Sequence, residues 1–348
     1  MEYMKNLACF IDIRWVQNEF IYYLYTKMKK MSYLEKLRAI SEVKQAFETS
    51  LEKELSLIKV GAPLFVRSDS GLQDDLNWVE KSVSFEKFWE KFEIVHSLAK
   101  WKRMALWKYG FPVWTGLYTK MKAIRKDEIV DPLHSMYVEQ YDWEKVIRLE
   151  DRTIDYLKQT VRSIYKNFLT ASSVLSEKYP DFYRDLPQEI TFITSQELED
   201  KYPDKDPDER EYLSSKEYWA IFVIWIWDKL KSWYVHGTRS PDYDDWSLDG
   251  DRIMYDEKYD RKIELSSMWI RVSEESLMQQ LVKSWKLEKV SLPYHQSIIK
   301  RELPYSIWWW IWMTRVIMFI LWVYHISEVQ ASSREQKTLE EIKDYEYM

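Results

Sequence analysis

The chain has 348 residues, a net charge of −6, 31% charged residues, five histidines and a single cysteine. That length supplies core for one large domain or two ordinary ones. No basic excess marks a nucleic-acid surface, the lone Cys9 excludes an intramolecular disulfide framework and a thiolate cluster, and the histidines lack zinc-enzyme spacing.

Residues 1–30 mix Asp12, Arg14 and Glu19 with aromatic side chains and carry no secretory pattern. They read as an N-terminal extension, or as a start displaced from Met28 or Met31. Over 33–55, Leu34, Leu37, Ile40, Val43, Phe47, Leu51 and Leu55 recur at steps of three and four, which predicts an amphipathic helix. Residues 57–66 read as a strand interrupted by Gly61 and Pro63, 68–75 as a polar loop, and 84–92 as a charged surface insertion. Strands are predicted at 92–98 and 133–141, with an irregular loop between. A second helix is predicted at 154–175 and a short strand at 189–194. Residues 199–216 read as a solvated helix or loop. Further strands fall at 220–227, 252–255 and 262–266, and helices at 274–284 and 314–324. The apolar run 305–326 has the length of a membrane span, but Arg315 in its middle argues against one. No repeat and no flexible linker divides the chain. The expectation is one α/β (α+β) catalytic domain over 31–332, a mostly antiparallel sheet flanked by helices, with a charged tail over 333–348.

Chemistry concentrates in four stretches. Lys100, Lys102 and Arg103 follow His96 closely. If that segment is extended, Lys100 and Lys102 share a side and clamp a carboxylate or phosphate; a solvated strand end is the competing reading. A strand from Gly116, a loop ending at Arg125 and a returning strand would hold the guanidinium over a sheet, where it suits a bidentate phosphate contact. Gln140 and Asp142 alternate onto one face of the returning strand and could hold an amino acid's amine; ordinary amphipathic strands are the alternative. Asp242, Asp244, Asp245, Asp249 and Asp251 read as a polar surface loop or as a Mg2+ site. Glu264, Ser266 and Arg271 set an acid, a hydroxyl and a cation on one strand face, and Glu264 with Asp251 makes a candidate metal pair or simply a strand edge.

Jointly, the strings HSLAKWKR at 96–103, GLYTKMKAIR at 116–125, SPDYDDWS at 240–247 and ELSSM at 264–268 resemble the ammonia-dependent asparagine synthetases, relatives of the class II aminoacyl-tRNA synthetases. The similarity runs in order from about Tyr33 to Gln330. It implies an ATP-dependent ligase that converts L-aspartate and ammonia to L-asparagine, AMP and pyrophosphate through a β-aspartyl-adenylate. It also implies Mg2+, a cytoplasmic setting and a homodimer built on helix 33–55 and the strand after it, with no nucleic-acid or membrane partner. By the same resemblance Arg125 meets the α-phosphate, Arg315 lies on the ATP side, and Ser135 and Val138 line the nucleotide. Asp251 and Glu264 stand near Mg2+. Lys102, Gln140, Ser267 and Arg271 surround the amino acid, with Asp142 beside Gln140 by alternation, and Asp74 is placed to orient ammonium or accept its proton.

The departures from the family are systematic. The chain has 19 tryptophans and 6 glycines, where ordinary usage predicts about 24 glycines. Tryptophan stands where the family carries glycine at Trp78, Trp107, Trp114, Trp219, Trp225, Trp227 and Trp233, and again at Trp269, Trp285, Trp308, Trp309, Trp310 and Trp312. Trp101, Trp143 and Trp246 match family tryptophans. One residue type replaced by one other points to decoding: a genome in which UGA specifies glycine, written out with UGA as tryptophan. A chain that truly carries these indoles is expected to be impaired, because bulk forced into a packed site costs about 1–3 kcal/mol or more. The competing readings are a synthetase paralogue, against which stand the net charge and the lack of any resemblance to an anticodon-binding domain, and an inactive interaction protein if the tryptophans are real.

Overall fold

A computed structural model describes residues 31–343 except 75, 77–79, 181–183, 227–228 and 238. The expectations placed on residues 1–30, on Trp78 and Trp227, and on residues 344–348 lie outside the described residues. Helix α1 (Tyr33–Leu55) opens with a capping box: Ser32 accepts from the Glu35 N–H, and the Glu35 carboxylate accepts from the Ser32 N–H at 2.9 Å. Its buried stripe runs Lys36, Ala39, Ile40, Val43, Phe47, Leu51 and Leu55. Leu34 and Leu37 fall on the flank of that stripe and are exposed, contrary to the sequence reading. Lys36 takes their place and pairs with Glu328 at 3.5 Å.

The strand expected over 57–66 is two strands in different sheets, β1 (Leu57–Lys59) and β2 (Phe65–Arg67), parted around Gly61 and Pro63. The charged insertion is a hairpin, β3 (Ser84–Lys87) and β4 (Glu90–Ile94), which joins β2 in a small antiparallel sheet. The strand expected over 92–98 stops at Ile94, and helix α2 (Ala99–Tyr109) follows where a loop was expected. Next come β5 (Gly116–Ile124), β6 (Tyr137–Val146), α3 (Ile154–Lys178), β7 (Thr191–Thr194), α4 (Ser195–Lys201) and α5 (Pro207–Tyr218). The chain continues through β8 (Ala220–Ile224), β9 (Asp244–Asp256), β10 (Arg261–Arg271), α6 (Glu274–Lys283) and α7 (Pro293–Ile299). The last elements are β11 (Ser306–Ile311), α8 (Met313–Leu321) and α9 (Gln336–Glu341). The apolar run thus divides into β11 and α8, and among the described residues no helix is long and apolar enough to cross a membrane.

The main sheet has eight strands in the order β1-β5-β6-β11-β10-β9-β8-β7. Only the edge pairs β1/β5 and β7/β8 are parallel; the central pairs are antiparallel. Alternation gives the sheet two unlike faces. Tyr141, Trp143, Met268, Ile270, Ile307, Trp309 and Ile311 join the main core with residues of α1, α3 and α8. The opposite face carries Gln140, Asp142 and Glu144 on β6, Ser267, Trp269 and Arg271 on β10, and Ser306, Trp308 and Trp310 on β11. A register shift between Glu264 and Ser266 brings Glu264 onto this second face. Ser266 turns away from it, and its buried hydroxyl has no hydrogen-bond partner among the described residues.

Among the described residues, twelve non-glycine residues have positive φ and seven of them are tryptophan: Trp89, Trp114, Trp219, Trp225, Trp233, Trp285 and Trp322. Such torsions are uncommon for any side-chain-bearing residue and cost about 1–3 kcal/mol each. Seven of them would consume stability comparable to the roughly 5–15 kcal/mol that holds a domain folded.

Candidate active site

Helix α2 delivers the first cations. Leu98 precedes it, Gly110 ends it in the left-handed conformation, and Lys100, Lys102 and Arg103 are all buried. A period of two was the wrong template for this segment. As helix residues, Lys100 and Lys102 diverge, Lys100 to Asp242 at 2.9 Å and Lys102 to Asp142 at 3.2 Å. Arg103 donates to the carbonyls of Val272 and Pro304. The aspartates of 242–251 are therefore not a surface loop: each is buried. Lys100, Lys289 and His295 converge on Asp242 and, against its burial, hold its carboxyl well below the usual range.

Lys102 and Asp142 are fully buried. Burial pushes the Lys102 ammonium down to about 8, against the pull of Asp142. Burial likewise raises Asp142. Arg271 forms a fork with Glu144, donating Nη2 at 2.7 Å and Nε at 3.0 Å, and reaches Asp244 at 3.3 Å. Burial opposes the Arg271 charge, yet Glu144 more than offsets it and the guanidinium is held above its ordinary value. Ser306 also donates to Glu144 at 2.7 Å. Both amide atoms of Gln140, beside Asp142 on the same face, are buried without a hydrogen-bond partner among the described residues. Asp74 accepts from Ser97 at 2.6 Å and from Tyr243 at 3.0 Å.

Beside this group lies a cleft of about 680 Å³ whose lining includes Arg125, Ser135, Val138, Glu264, Trp312 and Arg315. Arg125 and Arg315 both place their guanidinium carbon over the Trp312 ring, at 5.1 and 4.6 Å. Ser135 accepts from the Tyr137 N–H at 3.3 Å, and Val138 packs with Met121 and Ala123. Ser267 donates to Glu264 at 2.8 Å. Asp251 is ion-paired with Arg239 through one oxygen, while its other oxygen is buried without a hydrogen-bond partner among the described residues.

Between the cleft and the buried pairs stand indoles. Trp269 and Trp310 line the cleft. Trp308 stacks on Trp269 at 4.8 Å and meets Trp310 edge-on at 5.2 Å. Its ring lies 4.0 Å from Lys102 Nζ and 3.9 Å from the Arg271 guanidinium carbon, and its N–H donates to Asp244 at 2.6 Å. Trp308 thus contacts the cations and the acid that an amino acid's own carboxylate and amine would seek.

The structure brings all twelve anticipated site residues to this face and its cleft. The sequence reading gave no site role to Glu144, Tyr243, Arg239 and His96, and named Asp244 only within an aspartate run open to a surface-loop or a Mg2+ reading. Glu144 continues the alternation of Gln140 and Asp142. Tyr243 lies inside that aspartate run. Arg239 precedes that run. His96 lines the cleft, its Nε2 without a hydrogen-bond partner among the described residues.

The profile of the aspartate–ammonia ligase family matches residues 34–346. The aspartate–ammonia ligase of Clostridium perfringens is 52% identical over 297 residues, covering 84% of this chain and 88% of that one. The ligase of Fusobacterium nucleatum is 50% identical over 314 residues, covering 90% and 96%. Among solved structures, Entamoeba histolytica asparaginyl-tRNA synthetase in complex with asparaginyl-adenylate aligns with a TM-score of 0.63 at 13% identity, over 86% of this chain and 66% of that one. The Pyrococcus horikoshii asparaginyl-tRNA synthetase complexed with asparaginyl-adenylate aligns at 0.62 and 12%, over 85% and 68%. These likenesses establish a class II synthetase fold, and the chain belongs to the aspartate–ammonia ligase family.

Proposed function

We propose that the chain joins L-aspartate and ammonia into L-asparagine with cleavage of ATP to AMP and pyrophosphate, by way of a β-aspartyl-adenylate. The observation that carries this reading is the juxtaposition of buried pairs, Lys102–Asp142 and Arg271–Glu144, with a cleft that presents two guanidiniums, Arg125 and Arg315. The first group suits a small zwitterionic acid and the second a nucleotide.

A carboxylate is a poor electrophile. Its oxygen attacks the α-phosphorus, pyrophosphate departs, and the carbonyl then bears AMP as leaving group. Arg125 neutralises charge on the α-phosphate, and a preorganised cation placed there acts most strongly as that charge develops. Arg315, Ser135 and Val138 hold the nucleotide. Lys102 and Arg271 take aspartate's carboxylate charge, while Asp142, Gln140 and Ser267 orient its amine, fixing the reacting oxygen. Ammonia attacks the activated carbonyl, AMP leaves, and Asp74 orients the incoming nitrogen and takes its proton.

Asp251 and Glu264 fit Mg2+: both offer hard oxygens, and among the described residues Asp251 keeps a buried oxygen without a hydrogen-bond partner. Among the described residues no group of three or more acids, histidines or cysteines is arranged to hold a metal alone, so the nucleotide would contribute the remaining oxygens. The ion would supply neutralisation of phosphate charge. A catalytic unit over 31–332, a homodimer through α1 and β1, and a cytoplasmic setting belong to the same reading and are supported by the family likeness. The test uses a chain with glycine at the family's glycine positions, given L-aspartate, ammonium, ATP and Mg2+. Asparagine, AMP and pyrophosphate should appear in equal amounts. ADP in place of AMP, or aminoacylation of tRNA without free asparagine, overturns the proposal.

A further inference from the structure

Two sets of tryptophans stand out by unrelated observations: seven by backbone torsion, and four, Trp269, Trp308, Trp310 and Trp312, by where their rings lie. We infer that the chain made in the cell carries glycine at both sets, including positions 89 and 322, which the sequence pattern did not single out. The ring set rests on the ligase reading; the torsion set does not.

Trp89 is the second residue of a two-residue turn, since Lys87 of β3 pairs with Glu90 of β4. Phe88 and Trp89 have φ of 55° and 64°. Positive φ at both central residues is the type I′ turn, whose second position is characteristically glycine. Trp322 ends α8 at φ 55°, ψ 39°, returning its N–H to the Met318 carbonyl. Gly110 ends α2 at φ 69°, ψ 40° with the same kind of return bond, so one helix end shows what the other requires. Trp219 ends α5 at φ 66°, ψ −39°, outside the left-handed well that other residues can reach.

The counterexamples behave differently. Trp101, Trp143 and Trp246 are absent from the positive-φ set. In the ring set, Trp312 lies under two guanidiniums and Trp308 under a lysine and an arginine. Four cations converging on two indoles mark space shaped for a ligand of opposite charge.

The gene and the native protein decide the matter. TGA is expected at both sets and TGG at codons 101, 143 and 246, and tryptic peptides of the protein purified from its source should carry glycine at 89 and 322. TGG at 89 or 322, or peptides retaining tryptophan there, overturns the inference, as does TGA at 101, 143 and 246. If codons and peptides are as expected but the glycine-bearing chain makes no asparagine, the inference stands and the ligase reading falls.

Discussion

The two faces of the main sheet are written by the same strands, and tryptophan enters both. On the core face Trp143, which matches a family tryptophan, lies among aliphatic neighbours. On the other face Trp308 and Trp310 sit among Lys102, Arg271, Asp142, Glu144 and Asp244. An apolar surface accepts an indole as one more core residue. A surface of buried, paired charges is arranged for a polar guest, and an indole there takes the guest's place. The difference teaches that burial alone does not distinguish core from plugged site; the company a buried ring keeps does.

That contrast can be sharpened by substitution in the glycine-bearing chain. The largest effects belong to the charged face. Arg125→Ala should lower kcat/KM by about 10²–10³-fold, the usual loss on removing one preorganised charge-stabilising group, and Lys102→Met should raise KM for aspartate far more than KM for ATP. Steady-state kinetics with each substrate varied checks both, and unchanged constants would separate these residues from the site.

The next effects are in stability and carry opposite signs. Trp143→Gly should destabilise by about 3–5 kcal/mol through the cavity it leaves. In the tryptophan-bearing chain, Trp219→Gly should stabilise by about 1–3 kcal/mol through relief of backbone strain. Denaturant melts read both, and a destabilising Trp219→Gly would contradict the torsion argument. Trp322→Gly should stabilise less, because its torsions lie inside the left-handed well.

The smallest expected effect is in pH dependence. Folded Lys102 titrates near 8, below its ordinary 10.5. Between those values the unfolded chain binds the additional proton, so stability of the tryptophan-bearing chain should rise as pH climbs from about 8 toward 10.5. Trp308→Gly readmits water, returns the ammonium toward its ordinary value and should flatten that slope. Melts across this window with equal slopes for both chains would show that the indole is not what buries the lysine.

Much of this arrangement was legible in the sequence. The period of α1 and α3 and the alternation of Gln140 with Asp142 each report one element and one face. Helix α2 was not legible, because its buried face carries Lys100, Lys102 and Arg103 and therefore shows no apolar stripe. The burial of Asp242 and Asp244 was hidden because their partners, Lys100, His295 and Arg271, arrive from distant segments. The Glu264 bulge inverted the expected face of Ser266. Positions 89 and 322 declared themselves only through backbone torsion, which no residue count contains.

The central claim is that the indoles at 269, 308, 310 and 312 occupy the space of the reacting adenylate. The most direct measurement compares asparagine formation from aspartate, ATP and ammonium by two purified chains that differ only at those four positions, both with glycine at the family's other glycine positions and at 89 and 322. The glycine form should turn over, and the tryptophan form should show no detectable product. Equal turnover by the two would contradict it.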